Sequence, residues 1–93
     1  MHKPRVEICY CPKCGWLLRS AWMAQELLTT FTDELREVAL VPAESGTFQI
    51  RVDDQIIWCR IRDTGFPEIK QLKRLVRDEV APDRDLGHSE QQN

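Results

Sequence analysis

The chain has 93 residues, of which 42% are hydrophobic and 30% are charged, and it contains only four glycines and five prolines. This size and composition predict one compact globular domain and exclude a disordered chain or a two-domain protein. The formal net charge of −2 excludes a general attraction to nucleic acid, and a membrane span is excluded because no apolar run approaches about 20 residues.

The first half of the chain shows a strand, helix and strand pattern. Alternation over Arg5–Tyr10 predicts a half-buried strand with Val6, Ile8 and Tyr10 on its core side. A helix is predicted over 12–35, and its core stripe comprises Leu17, Ala21, Ala24, Leu28, Phe31 and Leu35. The apolar run 38–41, ended by Pro42, predicts a second strand that a right-handed crossover joins to the first.

The second half predicts a hairpin followed by a helix. Strand 47–52 and strand 55–62 flank a tight turn at Asp53-Asp54. In the second of these strands, alternation assigns Ile57, Cys59 and Ile61 to the core face and assigns Ile56, Trp58 and Arg60 to the opposite face. The final helix is predicted over 67–81, with Pro67 in its first turn and Pro82 after its end.

This element order, βαβ followed by ββα, predicts a thioredoxin-like α/β fold with a four-stranded mixed sheet and both helices on one face. We assign 1–82 to this domain and 83–93 to a loosely ordered tail. The opposite sheet face then has no cover within the chain. Its predicted residues are mostly polar, and the exceptions, Ile56 and Trp58, are a candidate partner surface, including one for a homodimer.

The chain has four cysteines, and their compartment affects how they are interpreted. The polar segment 1–7 lacks the apolar core of a secretory signal, so we expect the cytoplasm, where thiols are normally reduced. Cysteines there indicate redox chemistry or metal binding rather than structural disulfides.

The segment Cys11-Pro12-Lys13-Cys14 lies between the first strand and the first helix. Pro12 suits the first helical position, which makes Cys11 the N-cap and places its sulfur at the positive end of the helix dipole. Free N–H groups of the first turn then lower the pKa of the Cys11 thiol, and Lys13 adds a small screened contribution. Cys14 is positioned to resolve a mixed disulfide, as a reversible dithiol catalyst requires.

Other interpretations of the cysteines stay open at this stage. Cys11 and Cys14 could be structural, or they could form a zinc or iron-sulfur site with Cys9 and the distant Cys59. We interpret Cys59 as a small core residue and Cys9 as a candidate extra oxidisable thiol on the polar sheet face. Trp16 is a candidate shield for the sulfur or an ordinary core residue. Neither His2 nor His88, which lie in the terminal segments, is assigned a role.

Several segments together resemble the selenoprotein W-like proteins of the selenoprotein T, W and H family, also called the Rdx family. They are Val6-Glu7-Ile8-Cys9-Tyr10-Cys11-Pro12-Lys13-Cys14-Gly15-Trp16, Gly46-Thr47-Phe48, Ile57-Trp58, Gly65-Phe66-Pro67-Glu68, Leu72-Lys73, Val76-Arg77-Asp78 and Leu86-Gly87-His88-Ser89. The resemblance covers about 6–88. Its joint spacing is far more specific than the Cys-x-x-Cys motif alone.

The resemblance implies a thioredoxin-like fold and a redox role with glutathione or peroxide-linked partners. In selenium-containing members the selenocysteine occupies the position of Cys14, so this chain resembles a cysteine-containing homologue. Thioredoxin-like geometry favours Cys11 as the attacking thiolate, whereas the resemblance favours Cys14.

The leading hypothesis is therefore a thiol-disulfide oxidoreductase or redox-regulatory protein without a cofactor or metal, acting on redox partner proteins or glutathione. The basic run Lys70, Lys73, Arg74 and Arg77 has the spacing of one helix face and is interpreted as a solvated surface, with docking of an acidic partner or glutathione as the alternative. A second hypothesis is an adaptor that binds a protein through Ile56 and Trp58 and uses its cysteines as a sensor.

Overall fold

The computed structural model describes residues 2–87. Its strands are β1 (Arg5–Tyr10), β2 (Glu37–Pro42), β3 (Phe48–Val52) and β4 (Gln55–Cys59), and its helices are α1 (Leu17–Thr30), the short α2 (Arg60–Asp63) and α3 (Ile69–Val80). A three-residue 3₁₀ turn, Pro12–Cys14, precedes α1. Of the helices formed by residues 2–87, none is long and apolar enough to cross a membrane.

The four strands form one mixed sheet in the order β2-β1-β3-β4. β1 is parallel to β2 and antiparallel to β3, and β3 is antiparallel to β4. The sheet and the two longer helices share a single core on one side of the sheet. The predicted thioredoxin-like βαβ-ββα fold is confirmed.

The core forms where cross-strand apolar pairs meet the buried stripes of the helices. On β1, Ile8 pairs with Ile50 of β3, and Tyr10 pairs with Phe48. The buried side chains of α1 and its extension are Ser20, Met23, Ala24, Leu27, Phe31 and Leu35, and α3 contributes Leu72 and Val76.

The buried stripe of α1 differs in phase from the predicted one. Leu17 and Leu28, both predicted in the core, are 50% and 42% exposed, whereas Ala24, Phe31 and Leu35 are buried as predicted. The reason is that α1 begins at Leu17 instead of continuing from Pro12. Its buried face is therefore centred on Ser20 and Leu27, and the hydroxyl of Ser20 donates a hydrogen bond to the backbone oxygen of Trp16 at 2.7 Å.

A β-bulge in β4 reverses the predicted faces of Trp58 and Cys59. Arg51 pairs with Ile56 but Ile50 pairs with Trp58, so Ile57 is an extra residue in the ladder. Trp58 is consequently 7% exposed within the core, and its Nε1 donates to the backbone oxygen of Gly65 at 2.9 Å.

The predicted partner surface is thus wrong for Trp58. Ile56 does lie on the open face, with 36% exposure, and its role in binding stays a prediction. Ile61 was predicted in the core but is 76% exposed, because β4 ends at Cys59 and Ile61 belongs to α2.

The described part of the predicted tail contacts the domain. Leu86 packs against the core, and Nη1 of Arg84 donates to Oε1 of Glu34 at 3.0 Å. Residues 88–93, including His88, lie outside the described residues.

The burial of Trp58 and the exposure of Ile61 predict contrasting effects of their substitution on stability. Trp58→Ala should lower the free energy of unfolding by about 3–5 kcal/mol, because it removes a buried aromatic ring. Ile61→Ala should change it by no more than about 0.5 kcal/mol, because that side chain is exposed. Urea denaturation followed by far-UV circular dichroism measures both, and a larger loss for Ile61→Ala would contradict the observed exposure of that side chain.

Candidate functional site

The Cys11–Cys14 pair lies at the end of the central strand β1. Cys11 directly follows Tyr10, and the 3₁₀ turn then brings Cys14 back, with Cα atoms 5.4 Å apart. The two sulfurs form a disulfide. This Cα separation is typical of disulfides, so the pair can close with little backbone movement.

The two cysteines differ sharply in accessibility. Cys11 is fully buried, with 0% exposure, whereas Cys14 is exposed. Thiol-disulfide exchange requires a thiolate to reach a partner's sulfur, and within this pair only the exposed Cys14 is accessible to a partner. Cys11 lies where it can react with Cys14 while remaining shielded from larger molecules.

The cysteine turn, which we define as Cys11 and the 3₁₀ turn Pro12–Cys14, is separate from the long helix. This corrects the predicted position of Cys11 at the start of that helix. Cys11 is the N-cap of the three-residue turn only, and the N-cap of α1 is Trp16. The effect of a helix dipole falls off within about one turn. Cys14, two residues before Trp16, is therefore nearer in sequence than Cys11 to the positive end of α1.

The predicted supporting residues surround this turn. Pro12 occupies the first helical position of the 3₁₀ turn, and Lys13 is exposed beside it. Gly15 ends the turn with a left-handed backbone, at φ 75°, and its N–H donates to the Pro12 oxygen at 3.3 Å. This conformation is one that glycine adopts without steric cost.

Trp16 anchors the turn in an aromatic cluster, which we define as Trp16, Phe48 and Phe66. The Trp16 ring packs edge-on against Phe66, with centroids 5.0 Å apart, and against Phe48 at 6.4 Å. Phe48 and Phe66 are 4.8 Å apart. Trp16 is half-buried and packs against the core, so this cluster gives the cysteine turn a rigid base.

Two arginines that the sequence pattern does not mark as site residues, Arg19 and Arg60, flank the aromatic cluster. The guanidinium of Arg19 lies 3.9 Å from the Phe66 centroid, and that of Arg60 lies 5.2 Å from the centroid of Trp16. Arg60 also donates from Nε and Nη2 to the backbone oxygen of Gly46, at 3.2 and 3.1 Å. These contacts join distant segments, so spacing along the chain carries no signal for them.

Cys9 and Cys59 both lie on the open sheet face, which contradicts the predicted core position of Cys59. Each is aligned with Gln49, Cys9 across the β1–β3 ladder and Cys59 across the β3–β4 ladder. One strand therefore separates them. Strands are spaced about 4.8 Å apart, so their backbones are too far apart for a direct disulfide.

The environments of these two thiols shift their pKa values in opposite directions. Burial raises the pKa of the Cys9 thiol, which is 8% exposed. The backbone N–H of Arg62 and, to a lesser degree, that of Ile61 lower the pKa of Cys59, against an opposing effect of desolvation. Cys9 is thus the less readily ionised of the two.

The described part of the chain contains no assembled set of ligands for the zinc or iron-sulfur site considered above. Among residues 2–87, no group of three or more histidine, cysteine, aspartate or glutamate side chains converges to hold an ion. Cys9 and Cys59 stand apart on the open face, and Cys11 is bonded to Cys14. His2 is exposed near Asp53, with Nε2 3.8 Å from Oδ1.

The basic run on α3 is partly engaged in ion pairs. Nζ of Lys73 lies 3.0 Å from Oε1 of Glu26, which links α3 to α1, and Nε of Arg77 lies 2.8 Å from Oδ1 of Asp78. The side chains of Lys73 and Arg77 are only 13% and 12% exposed. These two residues therefore do not fit the predicted solvated surface.

Comparisons with known proteins agree on one family. The Rdx family model matches residues 5–78. A protein from Bordetella parapertussis, known from its crystal structure, is 56% identical in sequence. The match covers 85% of this chain and 100% of that chain, with a TM-score of 0.83. The crystal structure of a selenoprotein W-related protein from Vibrio cholerae is 50% identical in sequence, and the match covers 84% of this chain and 98% of that chain, with a TM-score of 0.82. No curated protein matches the chain.

The two open-face thiols should ionise at different pH values. Two triple variants isolate one thiol each. Cys59 alone remains in Cys9→Ser/Cys11→Ser/Cys14→Ser, and Cys9 alone remains in Cys11→Ser/Cys14→Ser/Cys59→Ser. We expect the pH midpoint of iodoacetamide alkylation to be lower for the Cys59 thiol, because N–H groups stabilise its thiolate while burial disfavours that of Cys9. Mass spectrometry of timed samples measures both rates. A lower midpoint for Cys9 would contradict the assignment.

Proposed function

The chain belongs to the Rdx family, and from that premise we propose that it is a thiol-disulfide redox protein in which Cys14 is the attacking residue and Cys11 the resolving residue. The observation that carries the proposal is the contrast between a fully buried Cys11 and an exposed Cys14 in one disulfide-bonded pair. The selenoprotein W-related name of the Vibrio cholerae relative supports the redox assignment.

The proposed reaction is a two-step thiol-disulfide exchange. The Cys14 thiolate attacks one sulfur of a partner's disulfide, a Cys14–partner disulfide forms, and the other partner sulfur leaves with the electron pair as a thiolate. The Cys11 sulfur then attacks the Cys14 sulfur, and the second partner sulfur leaves with the electron pair. The proton of the Cys11 thiol ends on that partner sulfur, which is released as a thiol, and the Cys11–Cys14 disulfide remains. The partner gains two electrons and the pair loses two.

The charges near the turn support ionisation of the attacking sulfur. Lys13 adjoins Cys14, and the segment from Cys11 to Gln25 contains no acidic residue. Positive charges and a nearby helix N-terminus favour a thiolate over a thiol. Rigid packing of Trp16 in the aromatic cluster keeps the turn in place while the sulfur changes partners.

The proposed partners are redox proteins and glutathione, and the proposed setting is redox regulation or homeostasis in the cytoplasm. The family membership supports the redox role. Cys9 and Cys59 are unpaired cysteines, as is usual in a reducing compartment.

Variants that each replace one cysteine test the assignment of roles. In buffers of varied reduced-to-oxidised glutathione ratio, the unaltered protein should interconvert reversibly between dithiol and Cys11–Cys14 disulfide. In the Cys11→Ser variant, glutathione should accumulate on Cys14. In the Cys14→Ser variant, glutathione should attach to Cys11 on the order of tenfold more slowly, because the Cys11 sulfur is buried. Acid quenching, alkylation and mass spectrometry of the peptides give both quantities.

Cys59→Ser serves as the matched control and should behave as the unaltered protein does. A pair that forms no disulfide in any of these buffers would overturn the proposed function. Equal rates of modification at Cys11 and Cys14 would overturn the assignment of Cys14 as the attacking residue.

A further inference from the structure

An apolar groove borders the cysteine turn. It has a volume of about 480 Å³ and is lined by Gly15, Leu18, Arg19 and Trp22. Gly15 directly follows Cys14, so one end of the groove adjoins the proposed attacking residue. Leu18 and Trp22, one turn apart on α1, are 82% and 47% exposed. Large apolar side chains exposed together beside a reacting group indicate a contact surface.

We propose that this groove, the Leu18–Trp22 groove, binds an apolar side chain of the protein segment that carries the partner's cysteine, and that Arg19 pairs with a carboxylate of that segment. The inference rests on the proposed thiol exchange at Cys14. The partner is an extended, acidic-apolar stretch of protein chain next to a cysteine that is held in a disulfide.

The length of the groove, which begins next to Cys14, sets the spacing within that segment. Gly15 forms one end of the groove, and Leu18 and Trp22 lie about 6 Å apart along α1, which rises about 1.5 Å per residue. An extended chain advances about 3.3 Å per residue, and side chains two residues apart point the same way. The apolar side chain should therefore be about two residues from the partner's cysteine. Glutathione has only one residue on either side of its cysteine, so it carries no apolar side chain at this position.

The charge around the groove favours an acidic segment. Arg19 is exposed, and its guanidinium is held over the Phe66 ring at 3.9 Å beside the groove. Within the described range, 2–87, no carboxylate forms an ion pair with Arg19. A second copy of this chain would bring the same cations, Lys13 and Arg19, against each other across a two-fold axis, which disfavours it as the occupant.

The exchange needs no further oxidant. The Cys14 thiolate attacks the cysteine sulfur of the bound segment's disulfide, a new sulfur–sulfur bond replaces the old one, and the displaced thiolate takes the electron pair. Seating an apolar side chain in the groove accelerates this step by holding the target sulfur next to Cys14.

Three synthetic peptides, each with thionitrobenzoate joined to its cysteine by a disulfide, test the groove. The first carries leucine two residues before and after the cysteine and glutamate beyond each leucine. The second has serine for leucine, and the third has glutamine for glutamate. The protein is the Cys11→Ser variant, in which exchange stops at the mixed disulfide. Release of thionitrobenzoate, measured by absorbance, gives the rate constants after subtraction of the Cys11→Ser/Cys14→Ser background.

We expect the leucine peptide to react about tenfold faster than the serine peptide, a difference of about 1.4 kcal/mol. Adding Leu18→Ala and Trp22→Ala should reduce that preference to about twofold or less. Adding Leu28→Ala, the matched control, should retain the preference, because Leu28 is 42% exposed on the same helix but does not line the groove. Adding Arg19→Gln should remove only the preference for glutamate over glutamine, about two- to fivefold at low salt. The rate with glutathionyl-thionitrobenzoate should be the same with and without Leu28→Ala, because Leu28 does not line the groove.

Equal rates for the leucine and serine peptides, or an equal loss with Leu28→Ala, would overturn the inference while leaving the proposed exchange at Cys14 intact. Failure of every probe to react above background would overturn the proposed function itself. Sedimentation velocity completes the test, since a dimer that dissociates on Trp22→Ala would show that a second copy occupies the groove and would overturn the inference.

Discussion

The left-handed backbone at Gly15 is the constraint on which both the site and the first helix depend. A residue with a side chain would adopt this conformation at a cost of about 1 kcal/mol or more. With glycine there, the chain closes the cysteine turn through the hydrogen bond to Pro12 and restarts as α1 at Leu17. The restart leaves Cys14 exposed beside a buried Cys11, and it sets which face of α1 is buried. The exposed positions of Leu18 and Trp22 follow from the same phase.

The aromatic cluster gives this exposed turn a fixed position. Phe48 comes from β3, Phe66 from the segment before α3, and Trp16 from the start of α1, so three separate parts of the chain converge at Trp16, two residues after Cys14. Arg19 and Arg60 lie against the rings of Phe66 and Trp16 and bring positive charge to the same region. The accessible sulfur is thus combined with a rigid base and with nearby positive charge, and positive charge favours a thiolate.

The open sheet face has a different chemical character. The bulge at Ile57 moves Trp58 into the core and leaves Cys59 on the outer face with Cys9. Their thiols have opposite pKa shifts and are separated by one strand. An adaptor role through Trp58 loses its physical basis, because a ring that is 7% exposed offers little surface to a partner.

Local patterns in the sequence determined the element order, the mixed four-stranded sheet, the inward face of β1 and β3, and the cysteine pair at the strand end, because period-2 alternation and turn-forming residues act over a few neighbours. The tertiary structure alone decided the break at Gly15, the phase of α1, and the faces of Trp58 and Cys59. A bulge inserts one residue without a compositional signal, and each such insertion inverts the side-chain alternation beyond it. The contacts of Arg19 and Arg60 join segments that are far apart in sequence. The groove beside Cys14 depends on which face of α1 is exposed. Residue spacing alone specifies neither.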